Sequence, residues 1–165
     1  MFSKAPIDFQ LADLTTVEIP LPDEQDSLSA ISLDADCYSL LKQGIEISPY
    51  VNGPLLKTEY LILFKAKAQL DIARQMEANE RVNHRDKMKH KKDIFDLLDT
   101  LEDSDFIPSD LVPDQVKRDL NDYIKWLEDQ PSLGTEVAQR KLPRFGRSPI
   151  KSKQKVIDAL SNLIR

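Results

Sequence analysis

The sequence predicts an α+β fold, mainly helical, in which a small N-terminal strand-containing portion packs on a long antiparallel helix pair and further helices follow toward the C-terminus. Three observations predict it. The first 33 residues read as extended segments interrupted by prolines. Two apolar-rich segments of helical length follow, Tyr60 to about Met76 and about Arg85 to Leu101, with a break at 79–83. A third helical stripe, Val116, Leu120, Tyr123, Ile124 and Leu127, begins just after Pro113. With 165 residues, 41% of them apolar, the chain suits one domain around a single core.

Taken in order, Ile7 to Leu11 and Ser27 to Leu33 are the strand candidates, and Pro20-Leu-Pro22-Asp-Glu makes a turn or surface loop. Asp34 is placed to cap a short helix running through Tyr38-Ser-Leu-Leu-Lys, because a carboxylate there accepts the orphan N–H groups of a first turn. Gly44 is placed to end that helix in the left-handed conformation. Ile45-Glu-Ile47 gives a short strand, and 49–54 a turn. Thr58 and Glu59 start the central helix, whose apolar residues cover more than one face, so it should be buried. The second long helix turns Met88, Ile94, Phe95, Leu98 and Leu101 inward. Gln130-Pro-Ser-Leu-Gly134 stops the third, Pro143 and Pro149 keep residues 135–150 irregular, and Gln154 to Ile164 forms a short terminal helix.

The net charge of −5 hides a gradient. Residues 5–41 hold Asp8, Asp13, Glu18, Asp23, Glu24, Asp26, Asp34 and Asp36 without one Lys or Arg, while 135–155 hold Arg140, Lys141, Arg144, Arg147, Lys151, Lys153 and Lys155 against Glu136 alone. An acidic front and a basic tail are each a surface for a partner protein, and the tail, with Phe145 between Arg144 and Arg147, is equally a nucleic-acid contact, a solvated terminus or a patch docked on the acidic front. A lone Cys37 excludes an intramolecular disulfide and a cysteine-based zinc site, which places the protein in a reducing cytoplasm. No run of apolar residues has signal-peptide or membrane-span length, so a cytoplasmic protein without a membrane segment is expected.

Lys65 and Lys67 lie in the most apolar helix, where an ammonium is costly unless it reaches water, a carboxylate or a phosphate. Two readings stay open: one lysine binds a triphosphate as a point charge, or both lie on an exposed strip or in a structural salt bridge to Asp93. Asp93 and Asp96, three apart, share a helix face with His90, and His84, Asp86, His90 and Asp93 offer metal ligands; Lys87, Lys89, Lys91 and Lys92 would repel a divalent cation, which favours a solvated mixed-charge face. Asp34-Ala-Asp36 has the form of a two-metal carboxylate pair, but no glycine precedes Gly44 to make a phosphate-cradling turn, so a helix cap is the better reading. No Gly-x-Ser-x-Gly, Gly-x-Gly-x-x-Gly, phosphate-binding loop or His-Glu-x-x-His is present, and Cys37 reads as a small core residue.

Ser27-Leu-Ser-Ala-Ile-Ser-Leu-Asp-Ala-Asp-Cys-Tyr, then Leu61-Ile-Leu-Phe-Lys-Ala-Lys-Ala-Gln-Leu-Asp-Ile with Arg74, then Val82-Asn-His-Arg-Asp-Lys-Met-Lys-His-Lys-Lys-Asp-Ile-Phe resemble a bacterial nucleotidyltransferase family of the abortive-infection, toxin–antitoxin type. The resemblance covers about residues 1–105 and implies a C-terminal portion only: residues 1–130 as a partial nucleotidyltransferase-like domain, strands to about 57 and helices 58–130, and 131–165 as a basic extension. It implies that Lys65 and Asp93 face the nucleotide, and that the Gly-Ser turn and the metal-binding acids belong to a part N-terminal to this one, so that Met1-Phe-Ser-Lys continues a family strand. Catalytic and metal residues are then none within this chain. Magnesium and a nucleoside triphosphate would be needed once a separately encoded or missing N-terminal part is supplied.

Overall fold

Among the described residues the strands all lie within 2–56, and every helix but one follows them. The computed structural model describes residues 2–4, 16–20, 27–33, 35–47, 53–78, 89–140 and 149–165. It is α+β and mainly helical. Within the described residues, β1 (Phe2–Lys4), β2 (Thr16–Pro20) and β3 (Ser27–Leu33) form a sheet of order β1-β3-β2. β1 runs parallel to β3, with Phe2 opposite Ile31, and β2 antiparallel to it, with Thr16 opposite Ile31 and Pro20 opposite Ser27. Pro20 stands at the end of β2, where its missing N–H costs the ladder least. β3 has the predicted bounds, β1 and β2 were not anticipated as strands from their own composition, and Ile7–Leu11 lies outside the described residues.

Helix α1 (Ala35–Gln43) follows β3 and touches both β1 and β3. Its Cys37, Leu40 and Leu41 are buried in the core that the later helices share, which joins the sheet to the helical part. Asp34 lies outside the described residues, so its capping role goes untested. The expected left-handed ending at Gly44 is corrected: Gly44 does not have positive φ, and its N–H is shared between the carbonyls of Leu40 and Leu41. Glycine is needed there for space, because a Cβ would come 2.4 Å from Cγ of Tyr60. β4 (Ile45–Ile47) then pairs antiparallel with β5 (Pro54–Leu56), a strand that was expected only as the end of a turn.

Helix α2 (Thr58–Glu77) begins where Thr58 predicts. It packs on both α3 (Lys89–Leu98) and α4 (Asp114–Glu128), which explains why its buried residues, among them Tyr60, Ile62, Leu63, Phe64, Ala66 and Leu70, occupy more than one face. Lys65 of α2 meets Asp93, and Gln69, one turn later, meets Lys91, two residues earlier; α2 and α3 are therefore antiparallel. α3 buries Ile94, Phe95 and Leu98 and stops three residues before the expected Leu101. There the backbone tightens, Thr100 N–H donating to Leu97 and Leu101 N–H to Leu98. The start expected near Arg85, and Met88 with it, lie outside the described residues.

Pro113 precedes α4, whose Val116, Leu120, Tyr123 and Leu127 are buried as predicted. The expectation that 135–150 is irregular is corrected by α5 (Leu133–Ala138), which places Leu133 and Val137 in the core. α6 (Lys153–Ser161) adds Val156, Ile157 and Leu160. It ends before the predicted Ile164 because residues 163–165 pair instead with 107–109: Ile107 N–H donates to Leu163 at 2.9 Å and Arg165 N–H to Ile107 at 3.1 Å. Residues 131–165, a basic extension by composition, thus contribute to the same core as α2, α3 and α4.

Candidate functional site

The two lysines of α2 go separate ways. Lys65 reaches α3, its Nζ 2.7 Å from Oδ2 of Asp93 across 28 residues of sequence, with side-chain exposures of 21% and 36%. The pair therefore sits at the rim of the α2–α3 seam, where both groups keep contact with water. Lys67, two residues on, turns to its own helix: Nζ lies 3.2 and 3.5 Å from the two oxygens of Asp71, which also accepts from Arg74 at 3.5 Å. Burial pushes the Asp71 carboxyl up from its ordinary value, Lys67 and Arg74 pull it back, and Asp119 of α4 adds to the rise. Lys67 is neutralised by a helical neighbour, whereas Lys65 forms with Asp93 the salt bridge between elements that is one of the two readings of the sequence.

On the far flank of α3 the charges are buried more deeply. Lys91 is 2% exposed, with Nζ 2.6 Å from Oε2 of Glu136 on α5 and its backbone N–H 3.1 Å from Oε1 of the buried Gln69. Burial alone would raise the Glu136 carboxyl, but hydrogen bonds from Lys91 and Ser132 and the Lys91 charge outweigh it and hold the group below its ordinary value. This corrects the expectation that Lys91 belongs to a solvated mixed-charge face. Arg140 donates to both oxygens of Asp99, to Asp96 at 3.1 Å and to the Ile150 carbonyl at 3.4 Å, and lies over the Phe95 ring. Asp99 also accepts the Ile150 N–H at 2.8 Å. Within the basic tail, then, Arg140 is docked on the acidic flank of α3.

Asp93 and Asp96 are three residues apart but serve different partners, Lys65 on one side and Arg140 on the other. His84 and Asp86 lie outside the described residues, and among the described residues no group of three His, Cys, Asp or Glu side chains is placed to hold a metal. Asp36 is exposed in the first turn of α1, where a carboxylate complements the helix dipole; Cys37 is a buried core residue. No helix among the described residues is long and apolar enough to cross a membrane.

Sequence reasoning gave no site role to Gln69, Asp99 or Glu136. Gln69 carried a faint signal, a polar residue on the buried stripe of an otherwise apolar helix. Glu136 carried one too, the lone acid in the basic stretch, although its partner is 45 residues away. Comparison with protein families, with curated proteins and with solved structures gives no match to this chain.

Proposed function

We propose that this chain is the helical, nucleotide-facing part of a nucleotidyltransferase-like protein, in which Lys65 offers its ammonium to a nucleotide phosphate and Asp93 holds the lysine in place between ligands. The observation that carries the reading is the half-exposed Lys65–Asp93 pair, formed between two antiparallel helices. Deep burial marks a structural ion pair, as at Lys91 and Arg140, whose side chains are 3% and 11% exposed, whereas a pair open to water can exchange its carboxylate for a phosphate at little cost. The resemblance of the Lys65 and Asp93 segments to the later motifs of a nucleotidyltransferase family agrees with this placement. On this reading the chain by itself transfers no nucleotide, since no glycine stands before Asp34 and Asp36 to form a phosphate-cradling turn.

Thermal unfolding with ATP and magnesium tests the reading. The wild-type midpoint should rise with ATP concentration as ligand binds the folded state. Lys65→Ala should unfold within a few degrees of the wild type without ligand and lose the ATP-dependent rise. A wild-type midpoint indifferent to ATP would remove the support for a nucleotide site. A second reading, a non-catalytic protein-interaction module, draws on Ile45, Ile47 and Leu55 of the β4–β5 hairpin, which are exposed, Ile47 by 86%. Under it, ATP leaves the midpoint unchanged, and Ile47→Asp removes part of the apolar surface that a partner would cover.

A further inference from the structure

Apolar contact between two helices is non-directional, and one residue of axial displacement is only about 1.5 Å. A slip of that size stretches and misaligns the 2.7 Å ion pair across the α2–α3 seam. A directional contact that fixes the register of α3 against α2 would therefore hold Lys65 and Asp93 in this geometry. Gln69 lies one helical turn beyond Lys65 on the same face of α2 and is 1% exposed. Its Oε1 accepts the backbone N–H of Lys91, in the first turn of α3, where such groups have no acceptor within the helix. Lys91 is two residues before Asp93, so this bond sets the axial position of the aspartate directly.

The same residue is held at its other end. The Lys91 ammonium, with its side chain 3% exposed, is 2.6 Å from Glu136 Oε2 on α5, and Ser132 Oγ donates to the other Glu136 oxygen. Residue 91 is thus fixed by its backbone to α2 and by its side chain to α5. Neither bond can be given up without leaving a buried donor or charge unsatisfied. We propose that Gln69 is the positioning residue of the Lys65–Asp93 pair, and that Glu136 acts on that pair from α5 through Lys91. The inference rests on the proposed role of the pair in binding phosphate, but the pairing itself is measurable without any ligand.

The test uses the full chain with its lysines carrying carbon-13 dimethyl labels, which keep the charge, and reads the Lys65 methyl resonance by NMR. Asp93→Asn defines the position of an unpaired Lys65. Gln69→Met, close in volume but without an acceptor, should move the resonance at least halfway to that position. A folded Gln69→Met protein whose Lys65 resonance stays at the wild-type position overturns the proposal. If Gln69→Met does not fold, the half-exposed Glu136 decides: Glu136→Ala should move the resonance in the same direction, and no movement overturns it. ATP titration of the wild type separates the two claims. Failure to bind ATP while the resonance responds as described removes the phosphate role and leaves Gln69 as the register pin.

Discussion

Replacing Asp99 with alanine removes the one carboxylate that ties together Arg140, Ile150 and the end of α3. Its side chain is 1% exposed, and it accepts from both Nη atoms of Arg140 and from the Ile150 N–H. The variant leaves the Arg140 guanidinium, 11% exposed, with Asp96 as its remaining carboxylate partner and leaves the Ile150 N–H without this acceptor. Stranding a buried charge in this way costs about 3–5 kcal/mol. For a chain of this size that is a fall in unfolding midpoint of about 6–20 °C. Asp96→Ala is the control, because Asp96 is 48% exposed and its contact with Arg140 is screened by water, so about 0–1 kcal/mol is expected. Urea and thermal unfolding of both variants give the comparison. Equal costs for the two would show that burial does not set the strength of this cluster, and that the segment after α5 is not held through Asp99.

Gly44→Ala should destabilise by about 1–3 kcal/mol in the same assays, since its Cβ meets the Tyr60 ring at 2.4 Å and one of the two elements must move. Phe95→Ala should cost about 3–5 kcal/mol, as truncating a buried aromatic under a stacked guanidinium leaves a cavity. Glu136 has a folded pKa held below its ordinary 4.5. Its contribution to stability is therefore fully present above about 4.5 and is lost as pH falls through the lower folded value. Glu136→Gln should flatten that acid limb when urea midpoints are followed against pH, and an unchanged limb would mean that the Lys91 pair does not set it.

The helices that could be read from the sequence are those whose apolar spacing alone determines their environment. α4 shows its buried residues four and three apart after Pro113, and α2 shows a stripe too wide for one contact, which the structure answers with α3 on one side and α4 on the other. α5 could not be read, because six residues containing Gly134 and following Pro131 carry too little periodicity; burial of Leu133 and Val137 against α6 and its neighbours makes the helix. The end of α6 was misplaced because Ile164 looks helical in spacing but is drawn into pairing with Ile107, a contact across more than fifty residues. β2 had a local signal in the alternation of Val17 and Ile19, whereas the parallel pairing of β1 with β3 has none. At the site, the helices of Lys65 and Asp93 were legible and hence so was their meeting. The destinations of Lys91, Asp96 and Arg140 were not, because a charged residue's burial depends on a partner that sequence distance hides.

The most direct measurement of the central claim is the response of single lysines to ATP. With all lysines carrying dimethyl labels, the Lys65 resonance should shift saturably as ATP is added, because phosphate replaces or joins Asp93 at the ammonium. Lys67, two residues away and held by Asp71 within α2, should remain in place as the internal control. A Lys65 resonance that stays fixed up to millimolar ATP, or one that moves no more than that of Lys67, would contradict the account.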